Sequence, residues 1–68
     1  IPRLETDLEV GSYYEVVTGD ESSGYLVFLR HDGRDRPYRL KERPPAPLCK
    51  AVKEGDRIRL VTVSPSPQ

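Results

Sequence analysis

The chain has 68 residues, enough for one small domain, and such a domain buries only about three-fifths of the surface that its unfolded chain exposes. Hydrophobic residues make up 35% and charged residues 32%, a balance typical of a polar-surfaced globular domain rather than of a disordered tail. The 11 lysines and arginines match the 11 aspartates and glutamates, so the net charge of zero provides no long-range attraction to nucleic acid. No apolar run is long enough to cross a bilayer, and the first residues lack the hydrophobic region of a secretory signal.

The residue inventory argues against a disulfide and a metal. A single Cys49 excludes an internal disulfide, and with only His31 to help it cannot build a zinc site. We therefore predict no metal and no cofactor. Because a small secreted domain usually carries disulfides, we expect an intracellular location, in the cytoplasm or the nucleus. The chain contains no Met, so we expect it to be a domain excised from a longer protein.

Charge is unevenly distributed along the chain. Residues 1–22 hold six anions and one cation, Arg3, whereas the remaining cations all follow. Opposite charges that face each other across neighbouring strands would explain this division. A charge dipole that attracts a partner is the alternative.

A first strand is predicted over residues 8–18. Its even positions include Leu8, Tyr14 and Val16, so one face of the strand is apolar, with a break at Gly11. Residues 18–24 are polar with a glycine near each end, which predicts a flexible hairpin loop.

Residues 25–29 form the predicted second strand. Both of its faces are apolar, which is typical of a central strand covered on both sides. Asp32-Gly33 readily adopts the positive φ angles of a tight hairpin turn, so the second and third strands should be antiparallel neighbours. Pro37 limits the third strand at its start, because its nitrogen cannot donate to a neighbouring strand.

A proline-rich segment, residues 44–47, ends the third strand. Residues 48–52 have room for one helical turn, which Pro47 would open and which would place Leu48 and Val52 on one side. We therefore predict a short helical turn before the last strand.

The last strand is predicted over residues 56–63, after a turn at residues 53–56. Residues 64–68 are composed of Ser, Pro and Gln and indicate a linker or tail, so the domain itself should span residues 1–63. Alternation along the last strand puts Ile58, Leu60 and Thr62 on one side and Arg57 and Arg59 on the other.

Four to five short antiparallel strands with one helical turn before the last predict an all-β fold. The architecture we expect is a small antiparallel β-barrel of the SH3-like or OB-like kind. An extended antiparallel sheet with a bulge is the alternative.

The aromatic residues divide into predicted core and predicted surface. Tyr14, Phe28 and Tyr38 should lie in the core, since a small domain needs their large apolar area. Tyr13 and Tyr25 lie on the opposite parity of their strands, and an exposed Tyr beside Arg can stack on a base or a peptide side chain. A Tyr that shields the edge of the sheet is the more common situation.

Two strands are predicted to share a basic outer surface. Guanidinium groups bind carboxylates and phosphates through paired hydrogen bonds, so this surface suits an acidic peptide or a nucleic-acid backbone. Interleaved acids favour the simpler interpretation, in which outward charges only prevent aggregation of exposed strands. The predicted partner-binding residues are Arg39, Lys41, Arg57 and Arg59, with Tyr13 and Tyr25. The wider basic set also includes Arg30, Arg34, Arg36 and Arg43.

No catalytic constellation is recognisable. His31 and Asp32 are adjacent along a strand and should point to opposite faces, so we expect no acid-base pair. Cys49 is expected to be a small buried hydrophobic residue. The spacing of Pro44 and Pro47 fits a polyproline ligand, but a rigid connector is the commoner use of such a stretch.

Three functions remain open, and none of them is enzymatic. The first is an interaction module that binds a protein or peptide through its sheet face or a sheet edge. The second is nucleic-acid binding through the Arg-bearing strands, with an exposed Tyr stacking on bases. The third is a structural module that packs against the rest of its parent protein. No membrane partner is expected.

Overall fold

A computed structural model describes residues 1–20 and 25–63 of the protein, and these residues form one mixed β-sheet of six strands with one turn of 3-10 helix, η1 (Glu5–Asp7). The all-β prediction is confirmed. The barrel is not, because the sheet is open, with order β1-β4-β3-β2-β5-β6. The short strand β1 runs parallel to β4 and all other neighbours are antiparallel. The strands are β1 (Arg3–Leu4), β2 (Tyr13–Asp20), β3 (Leu26–His31), β4 (Arg34–Arg39), β5 (Leu48–Glu54) and β6 (Arg57–Thr62).

Strand β2 begins and ends later than the alternation predicts. Gly11 adopts φ 93°, in the left-handed region, so the chain turns there and the strand starts only at Tyr13. At its other end β2 continues to Asp20, which pairs with Leu26, so the loop predicted to begin at Thr18 is shorter. Residues 21–24 of that loop lie outside the described part of the chain. A bulge between Val16 and Thr18 interrupts the pairing of β2 with β3.

The hairpin between β3 and β4 is confirmed. His31 pairs with Arg34, and the two residues between them, Asp32 and Gly33, have φ 53° and 72°. Pro37 lies within β4, opposite Phe28, and not at the start of the strand as predicted. It is tolerated there because the short β1 pairs with only the last two residues of β4.

The predicted helical turn is wrong, because residues 48–54 form strand β5. This strand pairs with β2 on one side and with β6 on the other, so its backbone hydrogen bonds are satisfied by neighbouring strands. Cys49 and Ala51 alternate on its inner face and are both 0% exposed. Among residues 1–20 and 25–63, no helix is long and apolar enough to cross a membrane.

The core lies on one face of the sheet. Tyr14 and Tyr38 are buried there as predicted, but Phe28 is 41% exposed on the opposite face. The prediction that β3 is covered on both sides is therefore wrong. The buried apolar residues are Leu8, Tyr14, Val27, Leu29, Tyr38, Leu40, Cys49, Ala51 and Leu60.

The segment that follows β1 connects the beginning of the chain to its last strand. Helix η1 packs against β6, and Glu5 is only 7% exposed. Both oxygens of the Glu5 carboxylate accept hydrogen bonds from the Arg57 guanidinium, each at 3.0 Å. This pairing brings the two ends of an open sheet together.

Candidate functional site

The two arginines of β6 are paired with carboxylates. Besides its paired bonds to Glu5, the Arg57 guanidinium lies 3.7 Å from Glu42. The Arg59 guanidinium donates to Glu42 at 2.7 Å and to Glu54 at 2.6 Å. The positive charge predicted for this surface is therefore balanced locally by three glutamates.

Glu5 is held in its ionised form by this arrangement. The hydrogen bond from Arg57 lowers the pKa of the Glu5 carboxyl, and this effect outweighs the burial that would raise it. The charges of Arg57, Lys41 and Arg59 lower the pKa further, so Lys41 also lies within electrostatic reach of the carboxylate. Three of the four predicted basic site residues thus surround the same acids.

The fourth predicted basic residue, Arg39, lies elsewhere. It is exposed on β4, directly opposite Leu26 of β3. Arg39 on β4 therefore lies apart from Arg57 and Arg59, whose charges are balanced by glutamates around β6. These three arginines do not form the continuous basic surface that the sequence predicts.

The two predicted surface tyrosines differ in their surroundings. Tyr13 is 51% exposed on β2, and the Lys50 ammonium lies 5.7 Å from the centre of its ring. Tyr25 precedes β3, has φ 60° and is half-buried, and the Arg43 guanidinium lies 6.0 Å from its ring centre. Tyr13 presents the more accessible ring.

A group of exposed apolar residues lies on the outer face, the face opposite the core, and of its members the sequence analysis predicted only Tyr13 to be exposed. Phe28 lies there between Pro37, its half-buried partner on β4, and the β2 bulge that contains the exposed Val17. Leu48 of β5 pairs with Glu15 of β2 and is 47% exposed. We name this group the outer apolar patch: Tyr13, Val17, Phe28 and Leu48.

A signal for this patch was present in the sequence. Once Asp32-Gly33 defines the turn, counting back along the hairpin places Phe28 opposite Pro37 and Leu29 opposite Arg36. The two neighbours must then face opposite sides of the sheet. What the sequence does not reveal is that only one side is covered.

An ion-pair row crosses the outer face between Phe28 and Tyr13, in line with Leu48. Arg30 donates to Asp35 at 2.8 Å and lies 3.9 Å from Glu15. These contacts lower the pKa of Asp35, chiefly through the Arg30 hydrogen bond. The Glu15–Arg30 contact pairs an acid of the first part of the chain with a cation of the rest across neighbouring strands, as predicted, and the Glu5–Arg57 pair does so between η1 and β6.

His31 lies closer to carboxylates than expected. Its Nδ1 is 3.2 Å from the Tyr13 carbonyl oxygen, and its Nε2 is 3.4 Å from Glu9 and 3.5 Å from Asp32. The expectation that His31 and Asp32 stay apart is wrong, because Asp32 lies in the turn with positive φ and not in an extended strand. The His31 ring also stacks on the buried Tyr14, with ring centres 4.7 Å apart.

Cys49 has the environment of a structural residue. Its thiol donates to the Ala46 carbonyl oxygen at 3.1 Å, and burial raises the pKa of the thiol. A protonated, buried sulfur is a poor nucleophile. Within residues 1–20 and 25–63, no three His, Cys, Asp or Glu side chains are grouped so that they could hold a metal ion.

Comparison with protein-family models, with curated proteins and with solved structures finds no match to this chain.

Proposed function

We propose that this chain is a non-enzymatic interaction domain that binds a protein or peptide partner through the outer face of its sheet. The observation that supports the proposal is the outer apolar patch, in which Phe28 is 41% exposed on the same face of the sheet as Tyr13, Val17 and Leu48. Aromatic and aliphatic side chains that remain exposed together on one face are typical of protein-binding surfaces. The ion pairs of Arg30 lie among these residues, between Phe28 and Tyr13, and supply polar groups within the face.

The sheet face suits a partner better than the sheet edges do. On the free part of β4 the residues are Arg34, Asp35, Arg36 and Pro37, and charges and proline at an edge discourage the addition of another strand. The other edge strand, β6, lies against η1. A partner that pairs with backbone groups would meet obstacles at both edges.

Nucleic-acid binding is the weaker proposal. Phosphate binding gains its free energy from cations that release counterions, whereas Arg57 and Arg59 already pair with glutamates. The net charge of zero also removes long-range attraction.

We also propose that the sheet is a partly open barrel of the SH3-like or OB-like kind. The support for this architecture is the Glu5–Arg57 pair, which connects the segment after β1 to the strand at the opposite edge of the sheet. The binding proposal depends on the outer face and not on closure.

The test is a selection from a randomised peptide library against the wild-type domain alone, after which the enriched peptides are measured on wild type and on Phe28→Asp. We expect enriched peptides rich in apolar residues, and about tenfold or greater loss of affinity in Phe28→Asp, measured by fluorescence anisotropy. Val10→Asp is the matched control, because Val10 is exposed to a similar degree outside the patch and its replacement should leave binding unchanged.

Circular dichroism of both variants checks that the fold is intact. Peptides that bind wild type and Phe28→Asp equally well, or a library that yields none, would contradict the proposal. Tight oligonucleotide binding that weakens steeply with salt would instead favour the nucleic-acid function.

A further inference from the structure

Two sets of arginines differ in whether carboxylates lie near them. Arg30, Arg57 and Arg59 form ion pairs with nearby carboxylates. In the part of the chain that the structure describes, Arg3, Arg34 and Arg36 have no carboxylate within ion-pair distance. Unpaired guanidinium groups are the ones available to a ligand.

Strand pairing places these three arginines on one face at the β1–β4 end of the sheet. Arg36 is opposite the buried Leu29, and Arg34 is opposite His31, so both point to the core side of β4. Arg3 pairs with Tyr38, the next residue of β4 on that face. We name Arg3, Arg34 and Arg36 the arginine strip.

The electrostatics of Tyr38 agree with this placement. Burial raises the pKa of the Tyr38 hydroxyl, while the charges of Arg3 and Arg36 both act to lower it. Both guanidinium groups therefore lie near the same hydroxyl at the margin of the core. Arg3 and Arg34 are exposed and Arg36 is half-buried, so the strip is accessible to solvent.

We propose that the arginine strip binds an extended acidic peptide whose carboxylates occur at alternate positions. Arg34 and Arg36 are two residues apart on a strand, which separates their Cα atoms by roughly 7 Å. Side chains two residues apart on an extended peptide have the same spacing, so successive carboxylates meet successive guanidinium groups. Each pair can form two parallel hydrogen bonds.

One feature favours an acidic peptide over a nucleic-acid strand. The exposed aromatic residues Tyr13 and Phe28 lie on the outer face, so they provide no stacking surface beside the strip. At its other end the strip meets His31, with Glu9 and Asp32 beside it, and these acids limit the length of any anionic ligand to the strip itself. The strip is thus suited to a short anionic segment.

The test uses a fluorescein-labelled peptide of alternating Glu and Thr, with the Gln-Thr peptide as its uncharged counterpart. The double variant Arg34→Gln/Arg36→Gln should weaken anisotropy-measured affinity about tenfold or more, because it removes two bidentate pairs. The control double variant Lys41→Gln/Lys53→Gln removes the same charge from exposed positions outside the strip and should retain most of the affinity. The Arg34→Lys/Arg36→Lys variant should be intermediate, since it keeps charge without the planar fork.

Chemical shift changes of the arginine Nε–H groups in wild-type protein provide a measurement that needs no variant. We expect the largest changes at Arg3, Arg34 and Arg36 on addition of the Glu-Thr peptide. Three outcomes would each overturn the proposal. They are equal losses of peptide affinity in the Gln double variant and the control double variant, no peptide binding at low salt, and tighter binding of an oligothymidylate than of the peptide. The outer apolar patch is on the opposite face, so either result leaves the proposed function to its own test.

Discussion

Phe28 and Leu29 are neighbours on β3 with opposite surroundings. Leu29 is 1% exposed, opposite Val16 on one side and Arg36 on the other, whereas Phe28 is 41% exposed on the outer face. Composition favours Phe28 as the core residue because it is the larger side chain. The alternation of the strand decides otherwise, since a shift of one residue exchanges the two faces.

We expect Leu29→Ala to destabilise the domain by about 2 to 5 kcal/mol, which is enough to unfold much of a small domain. Phe28→Ala should cost only about 1 kcal/mol, because a half-exposed ring loses little buried area. Urea unfolding followed by circular dichroism measures both free energies. Equal destabilisation by the two substitutions would mean that the faces of β3 are assigned the wrong way round.

The hairpin turns are the elements whose local chemistry is clearest. Gly33 has φ 72°, and a Cβ added there would meet nothing within 4 Å, so any effect of a side chain comes from the backbone alone. Gly33→Ala should therefore lower the free energy of unfolding by about 1 kcal/mol. Gly33→Asn is the control, since Asn adopts positive φ more readily and should cost less. If Gly33→Ala and Gly33→Asn both have the melting temperature of the wild type, this turn geometry is contradicted.

Strand β5 is the element that local patterns misrepresent. Leu48 and Val52 are four residues apart after a proline, which resembles the start of a helix. The competing signal is the small, alternating pair Cys49 and Ala51, both completely buried. A strand forms because β2 and β6 supply hydrogen bonds on both sides, and tertiary pairing of this kind overrides weak local preference.

At the scale of the whole molecule, η1 near the start of the chain contacts the last strand, β6. Because the pKa of Glu5 is lowered in the folded state, its pairing with Arg57 stabilises the fold above the unfolded-state pKa of Glu. That contribution disappears as the pH falls through the lower, folded-state value. Acidification should therefore loosen the connection between η1 and β6.

Glu5→Gln should lower the melting temperature at neutral pH, and the difference from wild type should shrink as the pH falls below about 5 and through the lowered pKa of Glu5. Glu15→Gln is the matched control. The Glu15 carboxylate is exposed and lies as far as 3.9 Å from Arg30, so this substitution should have a smaller effect on the melting temperature at neutral pH. Melting curves across this pH range measure the difference. A Glu5→Gln effect that is constant with pH would show that the carboxylate charge is not involved.

The sequence by itself determined the all-β class, the Asp32-Gly33 hairpin and the burial of Tyr14 and Tyr38. Each of these follows from neighbours along the chain, through alternation or through the φ angles that a residue tolerates. It also indicated that acids and cations would pair, but not which cations would remain unpaired. Only the tertiary structure decided that Phe28 is exposed, that residues 48–54 are a strand, and that Arg57 is neutralised by a carboxylate 52 positions away. These properties depend on which distant segments meet across the sheet, and local spacing carries no record of that.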